Sequence, residues 1–217
     1  MNFLKKAIIF VIAPLLLSFS AKADIKVVTT IKPLHSLISS VMEGVGEPSL
    51  IIEGTSNPHT FVFKPSHAQM LEEADIVFWI GEDLEAFMEK PLDSLAGNAT
   101  KISFMELSSI EKLKFREENI FDDHGHDDHD GHEDEHEGHD EDHKDAHAHA
   151  HGEFDPHIWL DPENAKEMVK IIRDELIKID PDGQRQYSVN TAGVTLELDN
   201  LINIVEKELS KDISYIV

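Results

Sequence analysis

Short, continuous apolar runs that alternate with helical patterns constrain the fold of this chain more than any other feature. The runs Ile25 to Thr30, Ser49 to Ile52 and Ile76 to Ile80 lack the polar alternation of a half-exposed strand. Each run therefore predicts a strand that is buried on both faces. Because such strands are separated here by helical patterns, we predict an α/β fold in which helices flank a parallel sheet.

Shorter patterns complete this first lobe. Helical spacing over about residues 66–74 and about residues 84–90, with a short strand near Ile102, brings the sheet to about four strands. Farther along, Pro162 marks a helix start, and Asp161 is suited to be its N-cap. We expect this helix to end at the Asp180-Pro181-Asp182 break.

A second helical pattern follows, from about Gln184 to Leu209. It would be roughly 40 Å long, which exceeds the size of one small domain. We interpret it as a rigid link between two lobes, and an ordinary surface helix is the alternative. Residues Lys211 to Val217 read as a helix exit followed by an apolar strand, so we expect an N-terminal fragment whose C-terminal lobe is missing.

A tract from Asp122 to His151 consists almost entirely of histidine and carboxylate residues and cannot form a core. We predict a disordered inserted loop. Imidazole favours zinc, copper, nickel and iron, so its histidines are candidate weak accessory metal sites. They are His124, His126, His129, His132, His136, His139, His143, His147, His149 and His151.

Composition and the first residues indicate the compartment. A net charge of -24 opposes binding to nucleic acid. Residues 1–23 have the basic start, the apolar stretch and the small-x-small end of a cleavable signal peptide. The chain has no cysteine, which excludes lipid attachment at an N-terminal cysteine. We expect a periplasmic protein without a lipid anchor.

Two single histidines lie outside the tract, in loops stiffened by proline. His59 follows Asn57-Pro58, and His157 follows Asp155-Pro156. A metal ligand on a rigid loop needs little ordering when the ion binds, although a lone loop histidine more often serves only a loop hydrogen bond. Two weaker candidates, His35 and His67, fit structural or helix-end roles better.

The sequence motifs around these histidines resemble those of a known family. Asn57 to Ser66 reads NPHTFVFKPS, Ala74 to Gly81 reads ADIVFWIG, and Asp155 to Pro162 reads DPHIWLDP. Together with the histidine-rich insertion, they resemble the metal-binding solute-binding proteins of ABC transporters, especially the periplasmic zinc-uptake branch. The resemblance covers the chain from about Ile25 to Val217. It implies metal-binding roles for His59 and His157.

The resemblance also implies a domain plan. Residues 24–180 would form an N-terminal α/β lobe, residues 181–210 the linking helix, and residues 211–217 the start of a truncated C-terminal lobe. The metal would lie in the cleft between the lobes. Similar proteins draw a third ligand from just after the strand that follows the long helix, and Pro58 occupies a position where some zinc members have glutamate. Two ligands are thus a half-site.

The function implied is capture of Zn²⁺ in the periplasm and its delivery to an inner-membrane ABC permease by a monomer that catalyses no reaction. One alternative is a periplasmic metal buffer or chaperone whose main site is the histidine tract. A manganese-binding or adhesin-type member of the same family is another. An enzyme is the weakest reading: His132 to His136 matches the H-E-x-x-H protease pattern, but no apolar residue is present to dock the helix that the motif needs.

Overall fold

A computed structural model describes residues 25–115 and 152–213. It contains a four-stranded sheet in the order β2-β1-β3-β4, and every strand pair in it is parallel. The strands are β1 (Val27–Thr29), β2 (Ser49–Leu50), β3 (Ile76–Trp79) and β4 (Thr100–Ser103). The predicted α/β class, with a parallel sheet and flanking helices, is confirmed.

Six α-helices lie in the described part of the chain. They are α1 (Lys32–Met42), α2 (Pro65–Glu72), α3 (Glu82–Glu85), α4 (Glu89–Ser94), α5 (Pro162–Ile179) and α6 (Gln184–Ile213). Single 3₁₀ turns connect them at Pro58–Thr60, Ala86–Met88, Phe104–Glu106, Ile158–Leu160 and Pro181–Gly183. The helix α5 starts at Pro162 as predicted, and its N-cap Asp161 accepts a hydrogen bond from the backbone N–H of Glu163 at 2.8 Å.

The core forms where the central strands meet the long helices. Every residue of β1 and β3 is buried, in agreement with their continuous apolar character. One face of α1 and one face of α5 are fully buried, and α1, α5 and α6 pack against one another. The buried residues of α1 and α5 include Leu34, Ile38, Val41, Met42, Met168, Val169, Ile172 and Leu176.

One predicted helix is wrong in its extent. The pattern over about residues 84–90 is observed as three pieces: α3, the 3₁₀ turn Ala86–Met88, and α4. Pro91 explains the interruption, because proline lacks an N–H and is tolerated only in the first turn of a helix. By restarting at Glu89, α4 places Pro91 in its first turn.

The long helix α6 is attached to the lobe near its start and around Asp199, and between these places Asn190 Nδ2 donates hydrogen bonds to the carbonyls of Val41 at 2.9 Å and Glu43 at 2.8 Å. Near its start, the buried Tyr187 donates a hydrogen bond from its hydroxyl to Asp180 Oδ2 at 2.8 Å. Twelve residues farther on, Asp199 Oδ1 accepts an ion pair from Lys166 Nζ of α5 at 2.6 Å. Several apolar side chains on α6 are exposed, among them Leu196, Leu201, Ile204 and Leu209.

Some expectations concern the ends of the chain. The predicted helix exit at Lys211 lies inside α6, which continues to Ile213. Among the described residues, no helix combines the length and apolar character that crossing a bilayer requires. The predicted signal peptide, residues 1–23, and the predicted strand after Ile213 lie outside the described residues. So does the histidine tract.

Candidate metal centre

His59 lies on a short turn between β2 and α2. Asn57 is extended, and its side-chain Oδ1 accepts a hydrogen bond from the backbone N–H of His59 at 2.9 Å. Pro58, with its fixed φ, occupies the first position of the 3₁₀ turn. The two residues therefore set the backbone at His59, whose side chain is exposed.

His157 lies on a second turn, directly before α5. Asp155 Oδ1 accepts hydrogen bonds from the backbone N–H of His157 at 2.9 Å and from its ring Nδ1 at 2.6 Å. The backbone N–H of His157 is the main reason that the pKa of Asp155 lies below its usual range. An ionised carboxylate only accepts hydrogen bonds, so Nδ1 of His157 carries the hydrogen in this contact.

The residues before His157 tie this turn to the lobe. The backbone N–H of Asp155 donates to the carbonyl of Leu113 at 2.8 Å, and Lys114 forms an antiparallel bridge with Phe154. On the other side of the histidine, the rings of His157 and Trp159 lie 5.2 Å apart between centroids. The imidazole is therefore held from its backbone, its Nδ1 and one ring face.

The fold brings the two predicted histidines together. The ring centroids of His59 and His157 are 5.8 Å apart, with an angle of 49° between the planes. Two imidazoles on one tetrahedral zinc, each at about 2.0–2.1 Å, would have centroids on the order of 5 Å apart. The observed separation of the two rings is therefore compatible with their binding one ion. Their role as metal ligands stays a prediction.

Three acidic side chains line the same cavity as His157. A cavity of about 390 Å³ is lined by this histidine together with Glu111, Asp155 and Asp161. Carboxylates around an open cavity attract cations and repel anions. Within residues 25–115 and 152–213, however, no group of three histidine, cysteine or acidic side chains could hold a metal. The described chain provides two imidazoles, which is half of a closed zinc site.

The weaker candidates have structural partners elsewhere. His35 Nε2 lies 3.1 Å from the carbonyl of Pro48, and its Nδ1 lies 3.4 Å from Ser39 Oγ. His67 is buried in α2, where its Nδ1 accepts a hydrogen bond from the backbone N–H of Lys64 at 3.0 Å. Burial lowers the pKa of His67, which favours this neutral, accepting form. The ten tract histidines lie outside the described residues.

Sequence reasoning missed two acidic residues beside these turns. Asp155 orients His157, and the signal was present as an Asp two residues before a histidine, a spacing typical of side chain to backbone turns. Glu85, the last residue of α3, is completely buried. Nothing in its local sequence distinguishes it from its exposed neighbours Glu82 and Asp83.

Solved structures with the same fold are metal-binding proteins. Zn(II)-bound AdcA from Streptococcus pneumoniae superposes with a TM-score of 0.59 at 22% identity, over 82% of this chain and 31% of that one. The Mn-bound periplasmic metal binding protein from Candidatus Liberibacter asiaticus gives 0.64 at 17% identity, over 86% and 57%. At these identities the likeness establishes the fold alone.

Relatives in sequence are more specific. The high-affinity zinc uptake system protein ZnuA from Brucella abortus is 41% identical over 202 residues, which are 88% of this chain and 60% of that protein. This chain thus spans less than two thirds of that relative. The family model of ZnuA, the periplasmic zinc-uptake complex component A, matches residues 27–215. The chain therefore belongs to the family of periplasmic zinc-uptake components.

Proposed function

We propose that this protein captures zinc in the periplasm and delivers it to an ABC-type permease, without making or breaking a covalent bond. The observation that carries the proposal is the pair of proline-stiffened histidines, His59 and His157, whose ring centroids are 5.8 Å apart. The orientation of His157 by Asp155 supports it, because zinc-bound histidines usually donate their second ring N–H to such a partner. Residues 1–23 would direct export.

The remaining ligands would come from outside the described residues. A closed zinc site takes about four donors, and the described turns contribute two. The match with the Brucella protein covers 88% of this chain but only 60% of that protein. We therefore place the other donors in the part of the relative's length that this chain does not span. Zinc is favoured over manganese because imidazole suits zinc, whereas manganese prefers oxygen ligands.

The histidine tract would serve this cleft as an accessory. Gly152 directly follows the tract and lies next to the bridge between Lys114 and Phe154, and His157 follows only a few residues later. Tract donors would therefore be tethered near the proposed site, where they raise the local concentration of metal. Each of these weak sites must order flexible chain when it binds, so its affinity should be lower than that of the cleft.

Calorimetric titration of the full-length protein with zinc tests the assignment. We expect one tight site plus several weak ones, and the double variant H59A/H157A should lose the tight site only. Deletion of residues 122–151 should have the reverse effect. If the double variant kept the tight site while the deletion removed it, the protein would instead be a metal buffer that uses the tract. A parallel titration with manganese tests whether the site prefers zinc.

A further inference from the structure

We infer that Glu85 is a positioning residue for His59: its buried carboxyl fixes the turn after β3, against which the His59 turn is packed. The inference rests on the proposed function, because it assigns a role in metal capture to a residue that is remote from the ion. Glu85 would act through other groups and would not touch the metal.

The carboxyl of Glu85 contacts the side chain of Thr30, directly after β1, and the backbone of that turn. Its side chain is fully buried, and its Oε2 accepts hydrogen bonds from the backbone N–H groups of Ile80 at 2.8 Å and Gly81 at 3.2 Å. Gly81 has a φ of 153°, and a Cβ there would lie 2.8 Å from the Cβ of Met105. The turn thus depends on a glycine for its conformation and on Glu85 for its hydrogen bonds.

Two contacts connect this turn with His59. The first is direct, since α3, which ends at Glu85, packs against the turn Pro58–Thr60. The second uses aromatic rings: Phe87, two residues after Glu85, lies 5.0 Å from Phe61, two residues after His59. The ring of His67 lies 5.3 Å from Phe61 as well. Phe61 is therefore held between two elements.

The presence of a carboxyl group at this depth calls for a reason. Burial raises the pKa of Glu85 to about 7, although hydrogen bonds with the Thr30 side chain and the N–H groups of Gly81 and Ile80 partly offset this rise. An apolar side chain would avoid this desolvation cost but would leave both N–H groups without their carboxyl acceptor. A buried glutamate at position 85 is explained if the backbone conformation of the turn after β3 determines the position of His59.

The test compares variants of the full-length protein that keep or remove the acceptor. E85Q retains an oxygen acceptor without charge, whereas E85L removes the acceptor at similar volume. F87L weakens the ring contact with Phe61. As a matched control, Y187F removes a buried hydrogen bond at the far end of α5, about 27 Å from the His157 turn. Zinc affinity is measured by chelator competition, site geometry by the Co²⁺ spectrum, and stability by thermal melting.

We expect E85L to bind zinc about 10-fold more weakly with an altered Co²⁺ spectrum, in line with losses seen when groups that orient ligands are removed. E85Q should restore both readouts to within about twofold, and F87L should weaken binding about threefold. Y187F should lower the melting temperature without changing affinity. The inference is overturned if E85L binds zinc as tightly as wild type, or if zinc affinity follows melting temperature across all four variants. If E85L does not fold, normal zinc binding by F87L overturns it.

Failure of this inference differs from failure of the proposed function. A wild-type protein without a tight site, or a tight site that survives H59A/H157A, would remove both. A tight site that the double variant abolishes and E85L leaves intact would remove only the role of Glu85.

Discussion

The turns that carry His59 and His157 share one local design and differ in one atom. In each, a side-chain oxygen two residues before the histidine accepts the histidine's backbone N–H at 2.9 Å, with a proline between. Asn57 supplies that oxygen in the first turn and Asp155 in the second. Only the aspartate brings a negative charge, and it also holds the ring Nδ1. One histidine is thus oriented by a charge within its own turn.

The His59 turn is supported by packing contacts with neighbouring elements. Its neighbour Phe61 packs on Phe87, and its backbone packs on α3. The two turns therefore represent two ways to hold a histidine: hydrogen bonding by a partly exposed carboxylate, and packing against a buried element. The first should respond to charge and the second to the stability of the turn after β3.

The largest expected effect tests whether both turns contribute to one site. H59A and H157A, made separately, should each lower zinc affinity by at least about 100-fold, since loss of one of few ligands opens the coordination shell. Competition with a chelator of known affinity measures the change. A tight site that survived in one single variant would show that the two turns do not share an ion.

The second prediction concerns Glu85, the buried acid that supports the His59 turn. Its folded pKa is about 7, above the unfolded value of 4.5, so the folded state holds the extra proton between these values and the wild type loses stability as pH rises through the window. The shift corresponds to about 3 kcal/mol. The free energy of unfolding of E85Q minus that of wild type should therefore increase from pH 4.5 to pH 7. Urea titrations at several pH values measure it, and a flat difference would contradict the burial of an ionisable group.

A third prediction concerns the charge in the His157 turn. D155N keeps the size and the acceptor but removes the charge, so zinc affinity should fall about 10-fold. The pKa of Asp155 is lowered, so the stability that it provides is present above its unfolded value of 3.8 and is lost as pH falls through the folded value. This sign is opposite to that of Glu85. Equal affinity of D155N and wild type at pH 7 would show that the charge is unimportant.

The smallest expected effect comes from the reciprocal change. N57D places a carboxylate in the His59 turn where the amide now lies, so zinc affinity should rise by about two- to fivefold. N57A is the matched control, because it removes the acceptor of the His59 N–H and should lower affinity slightly. If N57D weakened binding, the two turns would not be interchangeable in design.

The sequence predicted those features that depend on local pattern. The strands β1 and β3 and the start of α5 at Pro162 follow from apolar periodicity and capping, which neighbouring residues determine. The two histidines could be selected because proline and asparagine or aspartate mark rigid turns. Their separation of 5.8 Å could not be predicted from spacing, because it depends on how the tertiary fold places the two turns relative to each other.

Other features are invisible to local pattern. Glu82 and Glu85 are the same residue type three positions apart, yet one is exposed and the other fully buried. The difference arises from the direction of each side chain on a four-residue helix, which tertiary packing determines. The bond between Asp155 and the His157 ring likewise needs a side-chain rotamer that sequence does not specify.

The attachments of α6 at Tyr187 and Asp199 have a mechanical consequence. Tyr187 and Asp199 are twelve residues apart, so the helix is clamped at points separated by about 18 Å. A rod held at two points cannot swivel about either of them. We therefore expect any change in direction at the far end of α6 to arise by bending beyond Asp199.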